Sequence, residues 1–188
     1  SDNLAVGKAA LDSNTTGSYN TSIGRNSMDA NTTGHSNSAL GYQALKTNTT
    51  GIYNVAIGWD TMKDNTSGER NTAVGREAMR ENTTGNYNAG LGHEALKDNT
   101  TGSYNVGVGH YALSNNTTAS YNTALGNTSL EDNTTGTYNV AVGANALANN
   151  TTANSNVAVG YTSLNSNTTG ASNTGCGTNT LQANTTSN

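Results

Sequence analysis

Polar and apolar positions recur along this chain with a period of 17 residues. Asn-Thr-Thr begins at Asn14, Asn31, Asn48, Asn82, Asn99, Asn116, Asn133, Asn150, Asn167 and Asn184, and Asn65 heads the variant Asn-Thr-Ser. The cleanest copy, Gly136 to Thr152, reads Gly-x-Tyr-Asn-x-Ala-Val-Gly-x-x-Ala-Leu-x-x-Asn-Thr-Thr, and its residues define positions 1 to 17 of every unit. The step never varies. Stacked coils impose this strictness, because a change in length would break register with both neighbours. The units are 1–16, 17–33, 34–50, 51–67, 68–84, 85–101, 102–118, 119–135, 136–152, 153–169 and 170–186, one repeat array.

Large apolar residues occupy two columns. Position 7 holds Val6, Ile23, Leu40, Ile57, Val74, Leu91, Val108, Leu125, Val142, Val159 and Cys176. Position 12 holds Leu11, Met28, Leu45, Met62, Met79, Leu96, Leu113, Leu130, Leu147, Leu164 and Leu181. Stacking would turn both columns into core ladders, although each unit alone buries almost nothing. Positions 6 and 11 are always small, and neighbouring strand residues point to opposite faces. One face therefore carries large side chains. The other is uniformly small, either open to close approach by another backbone, such as that of a sister chain, or a flat, solvated face.

The Gly at position 8 suits a corner with positive φ. Asn-Thr-Thr-Gly suits a second corner, although Ala119 and Ala153 replace its glycine. One strand is expected near Tyr138–Val142 and a second around Ala146 and Leu147. The alternative to that second strand is a single helical turn, because Gly75 to Glu81 has helical propensity and positions 7, 11 and 12 fit one helical face. The expected fold is an all-β solenoid, or β-roll, of eleven coils with two short strands each. At ~4.8 Å per coil it would be a rod roughly 53 Å long.

Composition sharpens this picture. Leu, Ile and Val contribute only 24 of 188 residues, a share that usually warns of disorder. The regular placement of those few residues argues against it. A formal charge of −4 offers no basic stripe for nucleic acid. No run of 18 apolar residues exists to insert into a membrane. The lone Cys176 makes no intrachain disulfide, and its place in the position 7 column suggests a small buried hydrophobe. The chain begins in mid-repeat and neither end carries a polar cap, so it reads as a segment of a longer protein.

The stretch Asn-x-Ala-Val-Gly-x-x-Ala-Leu, as in Asn139 to Leu147, resembles the head repeats of trimeric autotransporter adhesins. The fuller unit with Asn-Thr-Thr-Gly is similar to repeats of bacterial and phage tail-fibre-domain proteins. The likeness covers nearly the whole chain but departs from the adhesin heads in period, 17 against a shorter unit. It implies a left-handed β-roll, three parallel chains and an extracellular address on a cell surface or virion fibre. A homotrimer also fits the thin core of two large residues per coil, which must offset the ordering of about 17 residues.

Candidate chemistry is sparse. His93 and His110 stack one coil apart, but their column also holds Lys8, Arg25, Tyr42, Trp59, Arg76 and Tyr161, which is no ligand set, and His35 lies elsewhere. No catalytic carboxylate pair, nucleophile set, metal site or cofactor motif is recognisable. Asp60, Asp64, Glu77, Glu81, Glu94 and Asp98 read as a solvated face with Lys63, Arg80 and Lys97. The column of Tyr19, Tyr53, Tyr87, Tyr104, Tyr121 and Tyr138 is a candidate surface for glycans or matrix, or else packing between coils or chains. Each Asn-Thr-Thr is also an N-glycosylation sequon, so a glycosylating host would decorate one edge.

The expected function is a non-catalytic structural or adhesive fibre segment of a tail fibre or surface adhesin, associating with itself. The alternative is an ice-binding rod using a threonine ladder through Thr16, Thr33, Thr50 and Thr84. The adjacency of the two threonines, which a strand would point to opposite faces, weighs against it. A polysaccharide-cleaving β-helix is a distant third, because no irregular loop breaks the repeat.

Overall fold

A computed structural model describes residues 2–187. Eleven three-residue strands recur every 17 residues: β1 (Leu4–Val6), β2 (Thr21–Ile23), β3 (Ser38–Leu40), β4 (Val55–Ile57), β5 (Thr72–Val74), β6 (Ala89–Leu91), β7 (Val106–Val108), β8 (Thr123–Leu125), β9 (Val140–Val142), β10 (Val157–Val159) and β11 (Thr174–Cys176). They form one parallel sheet in chain order, each strand paired with the same positions of the next coil, as Val140 with Val157 and Val142 with Val159. The protein is a β-solenoid, as the repeat predicts.

Each coil has one strand, not two. Positions 9 to 14, Ala144 to Asn149 in the cleanest copy, form turns and contain neither a second strand nor a helix. The physical reason is backbone handedness. From the second coil onward, positions 3, 10 and 12 take positive φ whatever their side chain, as in Tyr138 (60°), Asn145 (57°) and Leu147 (50°). Left-handed residues at positions 10 and 12 interrupt the repeating backbone angles that either regular element requires. For non-glycine residues this conformation costs about 1–2 kcal/mol each. Hydrogen bonds between coils offset that cost, because the turn remains on the ladder: Leu147 N donates to Ser163 O at 3.0 Å and Asn145 N to Asn127 O at 3.0 Å.

The expectation of two core ladders is corrected to one. Position 12 is fully buried from Met28 to Leu164, with the end members Leu11 and Leu181 less covered. The position 7 column faces outward. Val6, Leu40, Ile57, Val74, Leu91, Leu125, Val159 and Cys176 are exposed, and Ile23, Val108 and Val142 are half-buried. The small residues point inward instead, with Ala56, Ala73, Ala124, Ala141 and Ala158 completely buried at position 6. So the small face does not await a sister chain. Space explains the reversal. A Cβ built on Gly107 would lie 3.2 Å from Leu96 Cγ, and one built on Gly90 would lie 2.8 Å from Met79 Cγ. The large side chain of one coil fills the room beneath position 6 of the next, leaving none for a second large residue. Cys176 is accordingly an exposed free thiol rather than a buried one.

Two ladders of asparagine complete the interior. At position 4, each side chain binds the coil that follows. Asn122 Oδ1 accepts from Asn139 N at 3.0 Å, while Asn122 Nδ2 donates to Gly136 O at 2.8 Å. At position 15, Asn133 Nδ2 donates to Asn116 Oδ1 at 3.0 Å and to Gly136 O at 2.9 Å. Both columns are buried along most of the rod. Buried amides are tolerable only when satisfied, and here every rung satisfies its neighbour. The glycine of position 8 is required twice over. Gly109 has a φ of 138°, and a Cβ there would lie 2.4 Å from Gly126 O.

Candidate binding surfaces

The rod carries its candidate chemistry as exposed columns. Among the described residues no pocket is detected, and no group of three or more His, Cys, Asp or Glu could hold a metal ion. Outermost on the strand side is the sheet face of positions 5 and 7. It carries exposed Leu4, Val6, Leu40, Ile57, Val74, Leu91, Val106, Leu125 and Val159, and neither column contains a charged residue. Over ten coil steps of ~4.8 Å the strip is about 48 Å long. Its aliphatic side chains run unbroken along position 7 as far as Val159, while position 5 alternates them with Thr21, Ser38, Thr72, Thr123 and Thr174.

Two residues before each strand lies the tyrosine column. Tyr87, Tyr104, Tyr121 and Tyr138 stack with centroids 4.9, 5.0 and 5.1 Å apart and planes within 5° of parallel. The positive φ at position 3 sets these rings outward at the coil repeat. Stacking covers the faces of the inner rings, so a sugar has only their edges and hydroxyls to contact. The ring of Tyr19 stands apart, two coils from Tyr53.

Position 9 forms a mixed column. Tyr42 stacks on Trp59 at 6.1 Å, Arg76 lies 5.0 Å from the Trp59 ring centroid, and His93 stacks on His110 at 5.1 Å. The two histidines are thus brought together without a third ligand, and His110 Nδ1 is 3.1 Å from Asn127 Nδ2. Beside them runs an ion-pair network confined to the coils of Asp60 to Lys97. Glu77 contacts Arg76 at 2.8 Å, Arg80 at 3.6 Å and Lys97 at 3.9 Å, while Lys97 also contacts Glu94 at 2.9 Å. Burial alone would raise the Glu94 carboxyl, but the hydrogen bond and charge of Lys97, with His93 and Arg76, hold it below its ordinary value. Burial raises Asp98 and Glu131, the latter helped by Asp132. Asp64 and Glu81 have no ion-pair partner among the described residues, whereas Asp60 pairs with Lys63 at 3.5 Å.

The Asn-Thr-Thr edge separates into three environments. The Asn is interior. The first Thr turns its hydroxyl back onto the neighbouring coil, as in Thr100 Oγ1 to Thr117 O at 3.0 Å. The second, including Thr16, Thr33, Thr50 and Thr84, is exposed, and its hydroxyl has no hydrogen bond among the described residues. The sequon reading is corrected accordingly. An amide held by two hydrogen bonds inside the rod is not free to carry a glycan, so glycosylation and folding exclude each other. Sequence reasoning assigned the Asn of position 15 to turn chemistry and gave position 4 no role. Its signal was in plain view, since position 4 is Asn in every unit from Asn3 to Asn173.

Fold and surfaces together define a parallel β-solenoid with one strand per coil and an amide-lined interior. Comparison with protein-family models, curated proteins and solved structures yields no match.

Proposed function

We propose that this chain is a structural and adhesive fibre segment, non-catalytic and extracellular, that associates with further copies of itself, most simply as a parallel homotrimer. The observation that carries the reading is the outward strip of positions 5 and 7. A rod that shields its polar amides and exposes aliphatic side chains has its usual pattern inverted on that face. A second copy is a fitting cover, because the strip is charge-free and repeats at one interval, so identical strips meet in register without repulsion. The remaining columns stay exposed for a glycan or matrix partner. Native mass by light scattering tests this. Three times 19.2 kDa is expected. Leu91→Glu with Val108→Glu should release monomers whose circular dichroism is unchanged, since both side chains lie outside the coil. A wild-type monomer would refute self-association through the strip.

The ice-binding alternative is favoured by the exposed position 17 threonines, whose hydroxyls are free and spaced at the coil repeat. Against it, the hydroxyls of position 16 are already bonded, leaving a single column rather than a lattice. Thermal hysteresis at millimolar protein, abolished by Thr101→Val with Thr118→Val, would support it. Freezing behaviour equal to that of an inert protein would remove it.

A further inference from the structure

The tyrosine column is interrupted wherever position 3 is not aromatic, and the interruptions are filled unequally. Between Tyr53 and Tyr87 the rung belongs to Arg70. Its guanidinium carbon lies 5.4 Å from both ring centroids, and its Nη1 donates to Tyr87 Oη at 2.8 Å. On the other side of Tyr53 the rung is Ser36, and His35 turns its ring edge-on to Tyr53 with centroids 5.4 Å apart. Beyond Tyr138 the next two rungs are Ser155 and Ser172, both exposed. Tyr121 covers one face of Tyr138, and among the described residues no ring or cation covers the other. Tyr138 is 60% exposed, against 44% for Tyr87 inside the stack.

Charge separates this open rung from the filled one. All eight Lys and Arg residues lie between Lys8 and Lys97, whereas Asp98, Glu131 and Asp132 lie beyond. The open face therefore sits where no Lys or Arg competes, in coils without charge of their own that follow Glu131 and Asp132 of the preceding coil. An aromatic face is the negative pole of the ring quadrupole, and a planar guanidinium is its favoured cationic partner. Arg70 demonstrates that a rung of this column accepts that group at the coil spacing.

We propose that the uncovered face of Tyr138, above Ser155, is a subsite for the guanidinium of an arginine carried by a partner polypeptide. The subsite is independent of the apolar strip, so it stands whether or not the rod self-associates.

The test is titration of isotopically labelled protein with N-acetyl-arginine amide, followed by NMR at the tyrosine rings. The Tyr138 signals should shift in a saturable way, while those of Tyr104, covered on both faces, should not. The lysine analogue and a neutral hexose should produce shifts several-fold smaller. Ser155→Arg should fill the rung from within and remove the response. The fold has room for that change, because Arg70 occupies the same position with a φ of 55° and Ser155 has 60°. Tyr104→Ser should open a second rung, giving Tyr121 a response it lacks in the wild type. Equal shifts from the hexose, or a response that survives Ser155→Arg, would overturn the proposal.

Discussion

Coils 4 to 6, which hold Asp60 to Lys97, and coils 8 to 11 share one backbone but clothe it differently. The first group carries the ion-pair network around Glu77, with Arg76, Arg80, Lys97 and Glu94. The second has no Lys or Arg and keeps only Glu131 and Asp132. Yet β4 to β6 and β8 to β10 have the same length and register, and the same buried rungs of Asn, Ala or Gly, and Leu or Met lie beneath them. The coil therefore rests on its interior, and the charges decorate one stretch of it. Partly exposed ion pairs contribute little to stability, commonly about 0–1 kcal/mol. Satisfied buried amides and well-packed aliphatic groups contribute more.

The largest effect should come from the interior and be equal in the two regions. Met79→Ala and Leu113→Ala each remove a fully buried side chain and should each destabilise by about 2–5 kcal/mol. Urea unfolding checks this, and a much smaller loss at Leu113 than at Met79 would break the equivalence. Next, Gly75→Ala and Gly109→Ala should each cost about 3 kcal/mol, from a backbone conformation that side chains rarely adopt. Both also drive a Cβ into the facing carbonyl of the next coil, at 2.3 Å and 2.4 Å.

A sharper contrast sets an amide against a charge. Asn105→Ala leaves Asn122 N without its partner and removes one of the two amide donors to the Ala119 carbonyl, that of Asn116 remaining. Its expected cost is about 2 kcal/mol or more, whereas Lys97→Met should cost about 1 kcal/mol or less. Equal losses in thermal unfolding would give the ion pairs a weight denied to them here.

The smallest effect is pH dependence. Glu94 is held below its ordinary value, so its contribution is present above its unfolded pKa and lost as pH falls through its folded one. Asp98 and Glu131 are raised, so their contribution is present at low pH and lost as pH rises through their folded values. Glu94→Gln should therefore destabilise at neutral pH and become nearly neutral in acid. A loss independent of pH would mean that packing, not charge, is what Glu94 supplies.

Much of the architecture was legible in one dimension. A 17-residue step without insertions admits only stacked coils. The stretch Tyr138 to Val142 reads as a strand, of which Val140 to Val142 is one while Tyr138 is left-handed, and the invariant glycine of position 8 reads as a corner. The surface columns were equally legible, because Tyr87, Tyr104, Tyr121 and Tyr138 must stack if the coils do. The failures share one cause. Val142 and Leu147 are equally apolar, and hydropathy cannot rank them for an interior with room for one. Ala141 reads as an inert small residue until the side chain packed against its column is known. Asn133 reads as a turn residue and Asn122 carries no evident role, because each has a partner 17 residues away.

The sequence by itself determined the repeat, the register and the identity of each column, since a fixed period forces like onto like when coils stack. Only the tertiary structure decided which columns face inward. That choice depends on the bore of the coil, which is set by left-handed residues such as Tyr138, Asn145 and Leu147. Local propensity disfavours that conformation for all three. The hydrogen bonds between coils that hold them there exist only once the neighbouring coils are in place.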